Sequence, residues 1–321
     1  MPELINIKAS PVRDVLDVLL TDKTTKENIF WATDTYASYG YEYQERALIT
    51  EEILLQPKSP PVLPRTAKAQ DDQSDRTKKK AEVFTPAWIV NKMNNHCDED
   101  WFGRSGVFNH EQGDNTWARA GGEITFPEGK SWQAYIDSCR LEITCGEAPF
   151  VVSRYDASTG EVLAIRDRVG MLDRKLRVLN ENAKDEAEWM KWCLRAFQSV
   201  YGYEWQGDNL LLARANLLLS FTEYLDDRWH RAPTAKELRQ VANIIAWNFW
   251  QMDGLKMTLP YGEPQPQEEV IMEDDEWASI FGAPAEEEAK NYTPFCMIRD
   301  WRLDRAIDLP SLIQKETNYE I

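Results

Sequence analysis

The stretch Tyr201–Leu217, YGYEWQGDNLLLARANL, constrains the fold of this chain more than any other. It reads as a strand ending at Glu204, a turn, and a helix capped by Asp208 that continues to about Trp229. The apolar positions of that helix run nearly all the way round, so it has to be buried rather than laid on a surface. A second segment of the same design lies upstream: RLEITCGEAPFVV predicts a strand over Leu141–Thr144, a tight turn at Gly146 and a helix starting near Glu147 or Pro149. Strands that run into buried helices are the units of an α/β fold with a parallel sheet.

A chain of 321 residues, 43% of them hydrophobic, accommodates one large α/β domain with additions. Residues 1–56 predict a small cap of short elements, with helical spacing in SPVRDVLDVLL and a helix start at Thr24 or Thr25. Residues 57–81 read as a proline-rich, basic connector, in which Arg76, Lys78, Lys79 and Lys80 are placed to touch nucleic-acid phosphate or simply to be solvated. From 82 to 260 runs the α/β core. There Thr85 and Pro86 open a helix burying Trp88, Ile89 and Met93, and residues 101–135 form an irregular insertion. Two helices fill Met171–Val200, Thr234 and Glu237 form a capping box, and NFWQMDGL ends a strand. Residues 261–321 form an acidic extension with a closing strand and short helix.

The net charge of −17 argues against a stand-alone wrapper of nucleic acid, because such affinity comes from Lys and Arg against phosphate. The charge is uneven. Fifteen Asp or Glu against five Lys or Arg after residue 260 give −10, which leaves −7 for the first 260 residues. An acidic segment of this kind solubilises, binds a basic partner or occludes a basic groove. The arginines between Arg154 and Arg177 either approach phosphate or pair with nearby acids, and the latter is preferred. The Trp residues at 88, 101, 117 and 132 pack a core or make a stacking surface. The five Cys contain no CxxC, only three His are present, and no run of about 18 apolar residues occurs. These features predict neither a zinc site nor a membrane span, and a cytoplasmic setting.

Glu142 with Cys145 and Gly146 makes either a cofactor turn or an ordinary strand-to-helix turn. Glu204 either accepts from the two hydroxyls of a ribose, with Trp205 packing on the purine, or partners a helix cap. Asp253 is a third acid after a strand, placed to accept from an adenine amino group. Cys145, without a neighbouring His, predicts a buried turn residue rather than a nucleophile.

Taken in order, EVFTP (Glu82–Pro86), EITCGEAPF (Glu142–Phe150), the Tyr201–Leu217 phrase and QMDGL resemble the N-terminal motif series of adenine-N6 DNA methyltransferases of restriction–modification systems. The resemblance covers roughly residues 76–256. It implies a Rossmann-like fold, and S-adenosylmethionine held by Phe84, Thr85, Pro86, Glu142, Cys145, Gly146, Glu204, Trp205 and Asp253. The chain departs from the family in two places. Glu147 and Ala148 replace a serine and a glycine, and Glu147 opposes the cofactor's carboxylate unless it points away. The base-gripping NPPY phrase is missing; Thr258, Pro260 and Tyr261 of TLPY are the nearest match.

Three outcomes follow. A second methyltransferase or restriction subunit supplies the missing half, so that double-stranded DNA is bound by the complex. Alternatively, TLPY is a working variant. Otherwise the chain is a catalytically inactive DNA- or protein-binding component, of an anti-restriction or defence kind.

Overall fold

A computed structural model describes residues 4–68, 85–264 and 292–312. It is mixed α/β, organised on a three-stranded parallel sheet in the order β3 (Arg140–Glu142), β4 (Val200–Glu204), β5 (Phe249–Gln251). The register sets Arg140 opposite Val200 and Glu204 opposite Gln251, so β3 and β4 end near one another. Two helices link β3 to β4, α5 (Met171–Asn182) and α6 (Glu186–Gln198). Two more link β4 to β5, α7 (Gly207–Trp229) and α8 (Ala235–Asn248). Parallel neighbours need crossovers of this length, and helices are the usual means.

The predicted central helix is present, and its apolar surround has the expected consequence: Leu210, Leu211, Leu212, Leu217, Leu218 and Phe221 are all fully buried. Asp208 lies in its first turn rather than at the cap, buried, accepting from Tyr36 Oη at 3.0 Å and paired with Lys68 at 3.5 Å. The Thr234–Glu237 capping box forms as predicted. The N-terminal residues share the main apolar core; Leu16, Leu19, Ile29 and Trp31 join the cluster that contains α7. Segment 29–32 crosses the start of α7 so closely that a Cβ on Gly207 would lie 2.1 Å from Phe30 O. Only glycine fits there. Gln251 completes that joint by donating to Phe30 O and Trp205 O, each at 2.8 Å.

Several local expectations are corrected. Residues 24–25 form a turn, not a helix. Helix α3 (Ala87–Phe102) begins after Pro86, with no cap from Thr85; its first amide is held by Asp156 Oδ2 at 2.7 Å from another loop. Its buried face is not Trp88, Ile89 and Met93 but Val90, Asn91, Asn94, Asp98 and Phe102, and Met93 is 53% exposed. Asn94 donates to Phe150 O and Val169 O, and Asp98 binds Arg174 at 2.6 Å, so this polar face is fully engaged. The insertion carries a hairpin of β1 (Asn109–Glu111) and β2 (Trp117–Arg119), then α4 (Trp132–Asp137). A second hairpin, β6 (Met297–Asp300) with β7 (Arg305–Asp308), packs on a small satellite cluster around Trp250 and Met252. The short helices α1 (Leu16–Leu20) and α2 (Glu51–Leu55) lie near the N-terminus. No helix among the described residues is long and apolar enough to cross a membrane.

Candidate functional site

A cleft of about 830 Å³ opens at the C-terminal ends of β3 and β4, within the range of small-molecule sites. Thr85, Glu142, Cys145, Gly146, Glu204 and Trp205 all line it, so residues 120 positions apart in sequence converge on one site. Sequence reasoning did not assign to the cleft Met93, Asn94 and Cys97, which face it from α3, nor Met171 and Asn209. No local signal marked them, because they reach the cleft only through tertiary packing.

The turn after β3 adopts left-handed backbone at alternate residues, with φ of +47° at Thr144, +53° at Gly146 and +61° at Ala148. A β-branched residue in that region is a true outlier, of a kind that clusters at functional sites. The predicted helix at Glu147 or Pro149 does not form. The alternating dihedrals are incompatible with one, and residues 147–151 make turns instead. The amides of the turn are already engaged. Cys145 N donates to Tyr203 O at 2.8 Å, Gly146 N to Glu204 Oε2 at 2.8 Å, and Ala148 N to Cys145 O at 2.7 Å. Glu204 thus clamps the first turn to the second, its other oxygen accepting from Gln206 N at 3.1 Å. The helix-cap role and the place in the cleft coexist in one carboxylate.

Glu147 points away from the cleft. Buried, it accepts from Arg65 N at 2.7 Å and from the Tyr155 hydroxyl. Glu142 does the opposite. It lines the cleft, 8% exposed, with Oε1 accepting weakly from Phe150 N at 3.4 Å and Oε2 buried with no hydrogen-bond partner among the described residues. Burial pushes its carboxyl well above the ordinary range, and the neighbouring Glu204 adds to the shift. Burial likewise raises the Cys145 thiol, followed by repulsion from Glu142 and Glu204, which leaves it an inert turn residue.

The sign of the Glu142 effect is testable. A carboxyl with a raised folded pKa contributes its full stability below the unfolded value, and that contribution is lost as pH rises through the folded value. Glu142→Gln is therefore expected to match the parent protein at pH 4 and to become the more stable of the two as pH rises towards 9. Thermal melts across that range check this; a gap independent of pH would show that Glu142 does not titrate with folding.

Asp253 does not line the cleft; its Oδ1 accepts from Leu255 N at 2.9 Å and Lys256 N at 3.2 Å, forming a turn. Thr258 is fully buried in a bridge to Phe295, its hydroxyl donating to Leu259 O at 3.2 Å, and Pro260 is also buried. Tyr261 stands one layer behind the cleft. Its ring meets Trp205 edge-on at 5.2 Å, Arg46 covers it at 4.5 Å, and its hydroxyl donates to Glu45 Oε2 at 3.2 Å. Pro86 lies beside Thr85 but outside the lining. Phe84, Arg76, Lys78, Lys79 and Lys80 lie outside the described residues. Among the described residues no group of three or more His, Cys, Asp or Glu is arranged to hold a metal ion. Comparisons of the chain with protein-family models, with curated proteins and with solved structures gave no match.

Proposed function

We propose that this chain is the S-adenosylmethionine-binding part of a DNA adenine-N6 methyltransferase, with a Rossmann-like core whose base-gripping half comes from a second polypeptide. The observation that carries this proposal is the convergence of Glu142, Gly146, Glu204 and Trp205 on one cleft at the ends of adjacent parallel strands. Nucleotide-like ligands bind outside the carboxyl ends of such strands. The orphaned Oε2 of Glu142 suits an ammonium group, and Glu204 beside Trp205 suits a ribose and its purine. The cofactor would supply the methyl group. The chain's own residues would bind it, orient it and exclude water. With Glu147 turned away, the charge conflict raised by its identity is removed. The engaged amides of Cys145, Gly146 and Ala148 leave no helix N-terminus for the cofactor's carboxylate, which is a departure from the family pattern.

A missing half is supported by β3. Among the described residues it is an edge strand; Leu141, 53% exposed, and Ile143 just after the strand, 63% exposed, face the cleft. Parallel strands are normally buried, and nucleotide clefts lie where strands continue on both sides. Double-stranded DNA would then meet the assembled pair. A non-catalytic binding protein is the second possibility, favoured by the committed hydroxyl of Thr258.

Calorimetric titration of the purified chain with S-adenosylmethionine separates them. Saturable one-to-one binding is expected; no heat at millimolar cofactor would sink the proposal of a cofactor site and favour the interaction protein.

A further inference from the structure

A second depression lies away from the cofactor cleft, between the β1–β2 hairpin and the start of α5. Five arginines line it: Arg119 from β2, Arg166 and Arg168 from the loop before α5, and Arg174 and Arg177 from α5. Trp117 forms part of the wall, fixed by its indole donating to Asp167 O at 3.0 Å. The arginines differ in exposure. The side chain of Arg174 is 2% exposed, Arg168 5% and Arg177 13%, whereas Arg119 is 41% and Arg166 77% exposed. The acids that pair with them are Asp98, Glu223, Glu181 and Asp167, and of these only Asp167 is part of the lining. Arg168 gives Nη2 to Glu223 at 2.5 Å and Nε to Leu163 O at 3.4 Å, while its buried Nη1 has no acceptor among the described residues.

We infer that this depression seats a backbone phosphate of nucleic acid. The enclosed space is only about 10 Å³, room for one oxygen atom rather than a whole anion. A non-bridging phosphate oxygen fits that requirement, with the rest of the diester outside between Arg119 and Arg166. Guanidinium groups suit phosphate because their planar donors match its oxygens in pairs. The three inner arginines are held in place by Glu223, Asp98 and Glu181, so the ligand orders only the two outer side chains. In a chain of net charge −17, most of the surface repels a polyanion, and such a local arginine array decides where one can approach. This site lies outside the cofactor cleft and does not depend on methyl transfer.

The test uses the full chain and a fluorescein-labelled 20-base-pair duplex, followed by anisotropy at several salt concentrations. The double variant Arg119→Ala with Arg166→Ala removes only the outer side chains, whose ion pairs are exposed and of little consequence for folding. It is expected to weaken duplex binding about tenfold and to reduce the salt slope by about one per lost phosphate contact. Lys191→Ala with Arg228→Ala, an equal change of charge at other exposed positions, is expected to change affinity less than twofold. The inference is overturned if the parent chain does not bind the duplex, if the two double variants weaken it equally, or if polyglutamate displaces the duplex more effectively than unlabelled DNA, which would make an acidic protein the ligand. Cofactor titration of the Arg119/Arg166 variant keeps the two proposals separate: unchanged cofactor affinity with lost duplex binding places the defect in this depression alone.

Discussion

Replacing Arg214 with methionine is expected to destabilise the protein by about 3–5 kcal/mol, a large part of the ordinary stability of a domain. Arg214 sits on α7, fully buried, and its guanidinium faces carbonyls rather than a carboxylate. It donates to Leu19 O at 2.5 Å, Phe249 O at 2.8 Å, Thr21 O at 3.2 Å and Ala246 O at 3.4 Å. Those carbonyls end α1, end α8 and begin β5, so one side chain ties the ends of three elements to the central helix. Methionine fills much of the volume but leaves buried acceptors without donors, at about 1–3 kcal/mol for each one that water cannot reach. Arg214→Lys should recover only part of the loss, because an ammonium cannot span four acceptors held in a planar fork. Urea denaturation checks this: the midpoint should fall steeply for methionine and less for lysine, with the slope unchanged. A loss below 1 kcal/mol would mean that water replaces the guanidinium at these carbonyls.

Arg214 also illustrates what a sequence discloses. Its place in a buried helix follows from the apolar residues around it, and the helix pair Met171–Gln198 and the Thr234–Glu237 cap follow from equally local signals. The same local signals misplace the turn after β3. An acid, a glycine and Pro149 in that order are compatible with a helix start. The outcome is set instead by Glu204, 58 residues away, which takes the amide of Gly146. The face of α3 fails for a similar reason. Asn91, Asn94 and Asp98 read as solvent-facing until Asn109, Val169 O and Arg174 are brought to them. The strand-end part of the candidate cleft was legible because Glu142, Cys145, Gly146, Glu204 and Trp205 end or follow strands. Asp253 also follows a strand closely, yet its carboxylate is taken by amides of its own loop, and Thr258 is drawn into a bridge to Phe295. The preference for arginines paired with acids holds throughout: Arg154 and Arg168 meet Glu223, Arg166 meets Asp167, Arg174 meets Asp98 and Arg177 meets Glu181.

Glu204→Ala is the substitution expected to change function most. If its carboxylate accepts from the two ribose hydroxyls, removing it forfeits two charge-assisted bonds, together about 3 kcal/mol, or a roughly hundredfold loss of cofactor affinity. The same carboxylate holds Gly146 N and Gln206 N, so the variant should also melt earlier, and lost binding alone would not distinguish a ligand contact from a collapsed turn. Glu147 supplies the comparison. It too is a buried carboxylate of this turn, but its oxygens accept from Arg65 N and the Tyr155 hydroxyl outside the cleft. Glu147→Gln is expected to lower the melting temperature while leaving cofactor affinity within about threefold, because it breaks a buried bond without touching the ligand. Calorimetry and melts on both variants then separate the two roles. Binding lost only in the Glu204 variant assigns that carboxylate to the nucleoside. Binding lost equally in both, in proportion to their instability, would make Glu204 a structural clamp and return the cleft to the interaction protein.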